Sequence, residues 1–271
     1  MATFEVTEPI LPGPAQALAS LLGVPAPDGA LPLLWHWVYL LDRPAQADLG
    51  PDGHPVRNTV LAPPGPGRRR MWAGGRVRTP GELRRGEPAT RRSEVLAVRE
   101  KQGQSGPLTF VTVAHRITQA GRLVVDEEQD IVYRAGPPAD ARPDDGPEVP
   151  PEPGEWSIEV TPTLLFRFSA LTYNAHRIHY DRDYCREVEG YPGLLTHGPL
   201  QAIAMAEAAR ARGAAGPLEF EYRLVSPLFD FQGLIARAEA GAEMVTTVRD
   251  RSGRRTATGT VRGIGPDRPT R

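Results

Sequence analysis

The chain has 271 residues, enough for about two domains at roughly 150 residues each, and its 32 basic and 33 acidic side chains leave a formal net charge of −1. That balance is not the basic field of a dedicated nucleic-acid binder, and one cysteine excludes a disulfide framework or a multi-cysteine zinc site. No run of about 18 apolar residues exists to span a membrane.

The opening residues, Met1-Ala2-Thr3-Phe4-Glu5-Val6-Thr7-Glu8, lack the cationic start of a signal peptide and the basic bias of a transit peptide, so a cytoplasmic location is expected. An early strand is predicted near Phe4–Thr7, followed by an apolar stretch with helical spacing ending at Leu21-Leu22-Gly23. A central helix is expected over Pro32–Asp42 from its place in an internal repeat, although Trp35, Trp37, Val38 and Tyr39 favour a strand locally. A Pro/Gly-rich loop, Ala47–Gly67, comes next. Strands are predicted at about Thr90–Arg99, Leu108–Thr118 and Leu123–Arg134, with turns at Gly103-Gln104-Ser105-Gly106 and Ala120-Gly121.

A second Pro/Gly-rich stretch, Ala135–Gly154, reads as a linker between units 1–134 and 155–271. The second unit repeats the first in order. It has an early strand near Ile158–Thr161, a short helix ending at Ala170-Leu171-Thr172, and a central helix over Pro199–Arg210. Strands follow at Leu218–Val225, Leu234–Ala240, Glu243–Arg249 and Arg255–Arg262, the last pair joined by the hairpin signal Asp250-Arg251-Ser252-Gly253. One long helix against an antiparallel sheet in each unit is an α+β layer arrangement, and two such units can pair edge to edge.

The densest polar cluster runs from Tyr173 to Asp183 and contains Asn174, His176, Arg177, His179 and Asp181. His197-Gly198-Pro199 then opens the second central helix. Pro199 suits a first helical turn, and the free N–H groups there favour an anion or a developing oxyanion. His176, His179 and Asp181 have a spacing open to metal ligation, but no further Cys or Glu completes the set, and no metal is expected. Arg68-Arg69-Arg70 is either a solvated charge run or a phosphate grip. Cys185 has no nucleophile context, no Ser sits in a Gly-x-Ser-x-Gly elbow, and no phosphate-cradling glycine loop is present.

The run Phe168-Ser169-Ala170-Leu171-Thr172-Tyr173-Asn174-Ala175-His176-Arg177-Ile178-His179-Tyr180-Asp181, with Glu189-Gly190-Tyr191-Pro192-Gly193 and Thr196-His197-Gly198-Pro199-Leu200-Gln201, closely resembles the MaoC-like hydratase/dehydratase superfamily. Within it, the resemblance is to the double-hotdog branch of mesaconyl-C4-CoA hydratases, itaconyl-CoA hydratases and 3-hydroxyacyl-thioester dehydratases type 2. Leu34-Trp35-His36-Trp37, Met71-Trp72-Ala73-Gly74-Gly75 and Arg99-Glu100-Lys101 carry it into the first half. The resemblance implies a double hotdog, each unit a central helix wrapped by an antiparallel sheet, with the first unit non-catalytic.

It also implies a hydro-lyase acting on a CoA or acyl-carrier thioester, without metal or redox cofactor, in a chain that forms a homodimer and engages neither nucleic acid nor membrane. In the superfamily motif an Asp is followed by Asn two residues later and His three after that. Aligned on His179, Asn174 stands at the Asp and His176 at the Asn, so the motif's carboxylate is missing. His179 is then the expected base and Asn174 the holder of the water. Asp181 or His176 would orient His179 or return the proton to Cα. Gly198 and the next available N–H of its helix form the oxyanion site, with His197 and Tyr173 on the substrate side. Alternatives are a hotdog thioesterase or a non-catalytic acyl-thioester binding subunit. For a dicarboxylic acyl group Arg177, Arg223 and Arg167 are the candidate cations.

Overall fold

A computed structural model describes residues 3–61, 67–103, 106–135, 146–241 and 243–265. Residues 136–145 of the expected linker, Pro63-Pro64-Gly65-Pro66 of the first loop and Gln104-Ser105 of a predicted turn lie outside them.

Ten antiparallel strands form one sheet. They are β1 (Phe4–Pro9), β2 (Arg68–Thr79), β3 (Pro88–Gly103), β4 (Gly106–Gln119), β5 (Arg122–Ala135), β6 (Trp156–Ile158), β7 (Leu218–Leu224), β8 (Leu234–Glu239), β9 (Met244–Arg249) and β10 (Arg255–Gly263). Their spatial order is β1-β3-β4-β5-β2-β7-β10-β9-β8-β6. The second half thus mirrors the first, strand for strand, and the halves meet where β2 pairs with β7, from Gly74 opposite Arg223 to Thr79 opposite Leu218. Each half's inner edge is thereby covered by the other.

The β2 strand was not among the predicted elements. Three arginines open it and Gly74-Gly75 interrupts it, so neither alternation nor β-branched content marks it. The glycines have a packing reason: a Cβ at Gly74 would lie 2.3 Å from the Tyr222 carbonyl oxygen, and one at Gly75 2.5 Å from that of Glu128. Backbone on both sides of β2 comes too close for side chains there. The other predicted strands are present except the early one of the second half: β6 covers Trp156–Ile158 and shares only Ile158 with the expected Ile158–Thr161, whose last residue caps α2 instead.

Helix α1 (Pro12–Leu22) ends at Gly23, whose left-handed φ of 68° closes the last turn. Helix α2 (Pro162–Leu171) starts with the Thr161 hydroxyl accepting the Leu164 N–H at 3.1 Å and a proline in its first turn. Helix α3 (Gly198–Ala211) is the long one, and every residue from Leu200 to Ala209 is buried. It therefore has no polar face, and its two polar core residues are partnered: Gln201 Oε1 accepts the Thr256 hydroxyl at 2.7 Å, and Glu207 pairs with Arg210.

Among the described residues the first half has no counterpart of α3. The helix expected over Pro32–Asp42 is a single 3₁₀ turn, Trp35–Val38, bracketed by Leu34 and Leu40 at φ 69° and 52°. Such positive φ costs about 1–3 kcal/mol per residue, and surrounding anchors hold it. Trp35 donates its indole N–H to Glu207 (2.8 Å), His36 Nε2 and the Trp37 indole N–H meet the two oxygens of Glu127 at 2.9 and 2.8 Å, and the Tyr39 hydroxyl binds the Leu11 carbonyl (2.7 Å). Glu127 is 1% exposed, and although burial resists its ionisation, the His36 contact holds its pKa down at about 2. Aromatic residues reaching in three directions suit this irregular turn better than a helix. The segment is thus neither the helix expected from the repeat nor the strand its residues favour locally.

Candidate active site

The motif turn follows α2. The Asn174 N–H bonds the Ser169 carbonyl at 2.8 Å, and Asn174 Oδ1 accepts the His176 N–H at 3.0 Å, a side-chain turn that sets the path of the chain into His176 and Arg177. A 3₁₀ turn, Arg177–His179, then carries His179 inward. His179 Nδ1 lies 2.7 Å from the Leu195 carbonyl. A carbonyl only accepts, so Nδ1 carries the hydrogen and Nε2 keeps a lone pair.

Four imidazoles gather here. His179 stacks on His197 with ring centres 3.6 Å apart, His176 meets His179 edge-on at 5.5 Å, and His54 lies 4.0 Å from His176. His197 Nε2 is 2.8 Å from the Ser169 hydroxyl. Burial holds the pKa of His179 down at about 4, only partly offset by the Leu195 bond. His176 and His197 are held well below the ordinary value, first by burial and then by neighbouring imidazoles. These rings are therefore neutral bases near pH 7.

His54 belongs to the first half. Burial lowers its pKa, while Asp52, 3.1 Å from Nδ1, pulls it back up and Arg70 pushes it down again. Burial resists ionisation of Asp52 too, but the His54 hydrogen bond outweighs this and lowers its pKa. The loop is docked on the motif turn: the Arg177 N–H bonds the Asp52 carbonyl at 2.9 Å, and Arg177 Nη1 bonds the Pro51 carbonyl at 3.1 Å. Between them Gly53, at φ 88°, leaves a Cβ no room, since that atom would fall 1.8 Å from the Ala175 carbonyl oxygen.

A cavity of about 520 Å³ opens between the halves, lined by Gly53, His54, Ser169, Tyr173, Asn174 and Ala175 among others. Tyr173 is on its wall. His179 stands one layer behind this lining, through the His197–Ser169 contact. The first half, expected to carry no catalytic pair, places Asp52 and His54 beside His176, with His54 on the cavity wall. Only the Pro/Gly richness of the loop containing them signalled a role.

Asp181 does not orient His179. Its carboxylate takes the Arg177 guanidinium (2.7 Å) and the Tyr184 N–H (3.0 Å), and the Leu195 carbonyl occupies the place expected of it. Cys185 is fully buried, donates to the Ile178 carbonyl at 3.1 Å, and has its thiol pushed up to about 12 by burial, as suits an inert core thiol. Asp52, His54 and His176 place ligand atoms within 4.8 Å of one another, the one such set among the described residues. The nearby Arg70 charge acts on all three and opposes a dication there.

At the start of α3, the Gly198 and Leu200 N–H groups meet no acceptor among the described residues. The space a Gly198 side chain would need is taken by Leu224, whose Cδ1 is 2.3 Å from the ideal Cβ, with Trp72 Cβ at 3.6 Å. Glycine here thus admits Leu224 and Trp72 against the helix start.

The family model for hydroxyacyl-thioester dehydratase type 2 matches residues 34–230. The chain belongs to that family. It is 47% identical to the mesaconyl-C4-CoA hydratase of Chloroflexus aurantiacus over 234 residues, 84% of this chain and 83% of that one. It is 40% identical to the mitochondrial hydroxyacyl-thioester dehydratase type 2 of Schizosaccharomyces pombe over 90 residues, 32% of this chain and 30% of that one. Among solved structures, HtdX of Mycobacterium tuberculosis superposes with a TM-score of 0.70 at 17% identity, covering 97% of this chain and all of that one. A double-hotdog protein of the same organism superposes at 0.54 with 17% identity, covering 96% and 94%. The fold is the double hotdog, and the family's chemistry makes the chain a hydro-lyase of acyl thioesters. No helix among the described residues is long and apolar enough to cross a membrane.

Proposed function

We propose that the chain adds water across the α,β-double bond of a short dicarboxylic monothioester of CoA, of the mesaconyl-C4 type, with His179 as the proton-handling residue. The observation that carries the residue assignment is the 2.7 Å contact of His179 Nδ1 with the Leu195 carbonyl, which leaves Nε2 as a base. The near-half identity to a mesaconyl-C4-CoA hydratase supports the substrate class.

Water attack at Cβ moves negative charge onto the thioester oxygen. The unpartnered Gly198 and Leu200 N–H groups offer it hydrogen bonds, and losing one such donor costs about 10²–10³ in rate. Asn174 spends Oδ1 on the His176 N–H, so its amide NH₂ is the group left to hold the water. As the water oxygen bonds to Cβ, its proton passes to His179 Nε2. An imidazolium with a pKa of about 4 is a strong acid for this residue type. It therefore readily returns the proton to Cα, restoring neutral His179 and completing the addition. Neither Asp181 nor a second acid is required, which accommodates asparagine in place of the motif's carboxylate.

Mesaconyl-C4-CoA and crotonyl-CoA incubated with the protein distinguish this from thioester hydrolysis. Loss of enoyl absorbance without release of free thiol is expected. Stoichiometric thiol release would make the protein a thioesterase and overturn the reading.

A further inference from the structure

The free carboxylate of a dicarboxylic monothioester needs a cation, and the histidines beside the cavity are neutral. None of the three arginines expected from the sequence serves. Arg177 is engaged by Asp181 and the Pro51 carbonyl. Arg223 faces the opposite side of the sheet, in a cleft it shares with Arg76, Arg99 and Glu128. Arg167 lies on the exposed side of α2.

Arg70 is placed differently. Its Nε and Nη2 atoms are sealed from solvent, and neither has a hydrogen-bond partner. Its guanidinium carbon sits 5.8 Å from the centre of the Tyr133 ring, its neighbour across the β2–β5 ladder. No ion pair neutralises it among the described residues. Arg70 is half-buried, its guanidinium bonds the Tyr133 hydroxyl and feels the Asp52 carboxylate, but the sealed Nε and Nη2 donors are left for an anion to complete. Arg68 and Arg69 are already committed, to Thr109 and Glu189 respectively.

Arg70 does not line the cavity itself; its position on β2 links it to the start of α3. Side chains alternate along a strand, so Arg70 and Trp72 share a face of β2, about 6.6 Å apart along it. Trp72 abuts the start of α3, its Cβ 3.6 Å from the place of a Gly198 Cβ. A four-carbon acyl chain, at about 1.5 Å per C–C bond, spans roughly 4 Å from thioester carbon to far carboxyl carbon. With the thioester oxygen at the Gly198 N–H, the other end falls within reach of a long arginine side chain. The Arg70 charge also disfavours protonation of His54 and His176, in keeping with a place beside them.

We propose that Arg70 receives the free carboxylate of the acyl group in a two-pronged ion pair and so selects dicarboxylic monothioesters. This rests on the hydro-lyase reading, and the test is chosen to separate the two. Succinyl-CoA and butyryl-CoA have four acyl carbons each, with and without the carboxylate, and neither holds a double bond to hydrate. Calorimetric titration of the wild type should show succinyl-CoA binding about 100-fold tighter, the scale of hydrogen bonds to a charged group. Arg70→Met should erase that preference while leaving butyryl-CoA binding within about threefold, and Arg70→Lys should restore part of it. The melting temperature of Arg70→Met should hold, since no ion pair within 4 Å is lost and methionine fills the place beside the Tyr133 ring. Equal losses for both ligands, or a preference that survives in Arg70→Met, would overturn the proposal. Succinyl- and butyryl-pantetheine repeat the comparison without the CoA phosphates. A preference that vanishes there would assign Arg70 to a phosphate instead and equally overturn it. Absence of hydration of any enoyl thioester would count against the hydro-lyase reading alone, because the titrations need no turnover.

Discussion

Acidification should destabilise this protein through His179 in a way a single substitution removes. In the unfolded chain a histidine takes up its proton near pH 6.5; in the fold, burial delays that to about 4. Between these values the unfolded state binds more protons, so stability falls as pH drops from 6.5 and the loss is complete below about 4. At about 1.4 kcal/mol per pH unit, the gap of 2.5 units corresponds to roughly 3 kcal/mol, of which about 2 kcal/mol is already lost at pH 5. Asn at position 179 does not titrate, and its amide can still donate to the Leu195 carbonyl. Urea unfolding of wild type and His179→Asn at pH 8, 6.5, 5.5 and 5 supplies the comparison. The gap between the two proteins should narrow by about 2 kcal/mol from pH 8 to pH 5. Parallel curves, or a gap that widens toward acid, would refute the assignment of a buried neutral imidazole.

Further expectations concern the loop and the first-half network. Gly53→Ala should cost about 1–3 kcal/mol or release the loop from the motif turn, since its Cβ would lie 1.8 Å from the Ala175 carbonyl oxygen at a φ of 88°; unchanged unfolding and unchanged turnover would contradict the docking. Asp52→Asn removes the upward pull on His54, so NMR titration of that ring should move to lower pH, and a rise would refute the pairing. Glu127→Gln should destabilise by about 3 kcal/mol, read by chemical unfolding, because His36 and Trp37 both depend on its carboxylate.

How far the fold was legible depended on whether local pattern and tertiary context agreed. The outer strands of each half alternate or carry β-branched residues such as Val111, Val113, Ile131 and Val132, and they appear where expected. Strand β2 does not, because its residues are chosen for what surrounds it: glycines where Tyr222 and Glu128 backbone crowd in, and arginines that meet Thr109, Glu189 and the Tyr133 ring. The irregular turn at Trp35–Val38 was not legible: its aromatic residues favour a strand locally and the internal repeat favours a helix, whereas tertiary partners such as Glu207 and Glu127 hold it as a 3₁₀ turn. His176, His179, Asn174 and His197 were visible as a motif, and the structure brings them together. Asp52, His54 and Arg70 join them from distant positions in the chain, and no local spacing ties them to the motif.

The central claim is that His179 handles the proton. The measurement that tests it most directly is kcat/KM for hydration of mesaconyl-C4-CoA by wild type and His179→Ala, both verified as folded by near-UV circular dichroism. A loss of about 10²–10⁴, the scale of general acid–base catalysis, is predicted. Turnover undiminished in a folded His179→Ala protein would contradict the account.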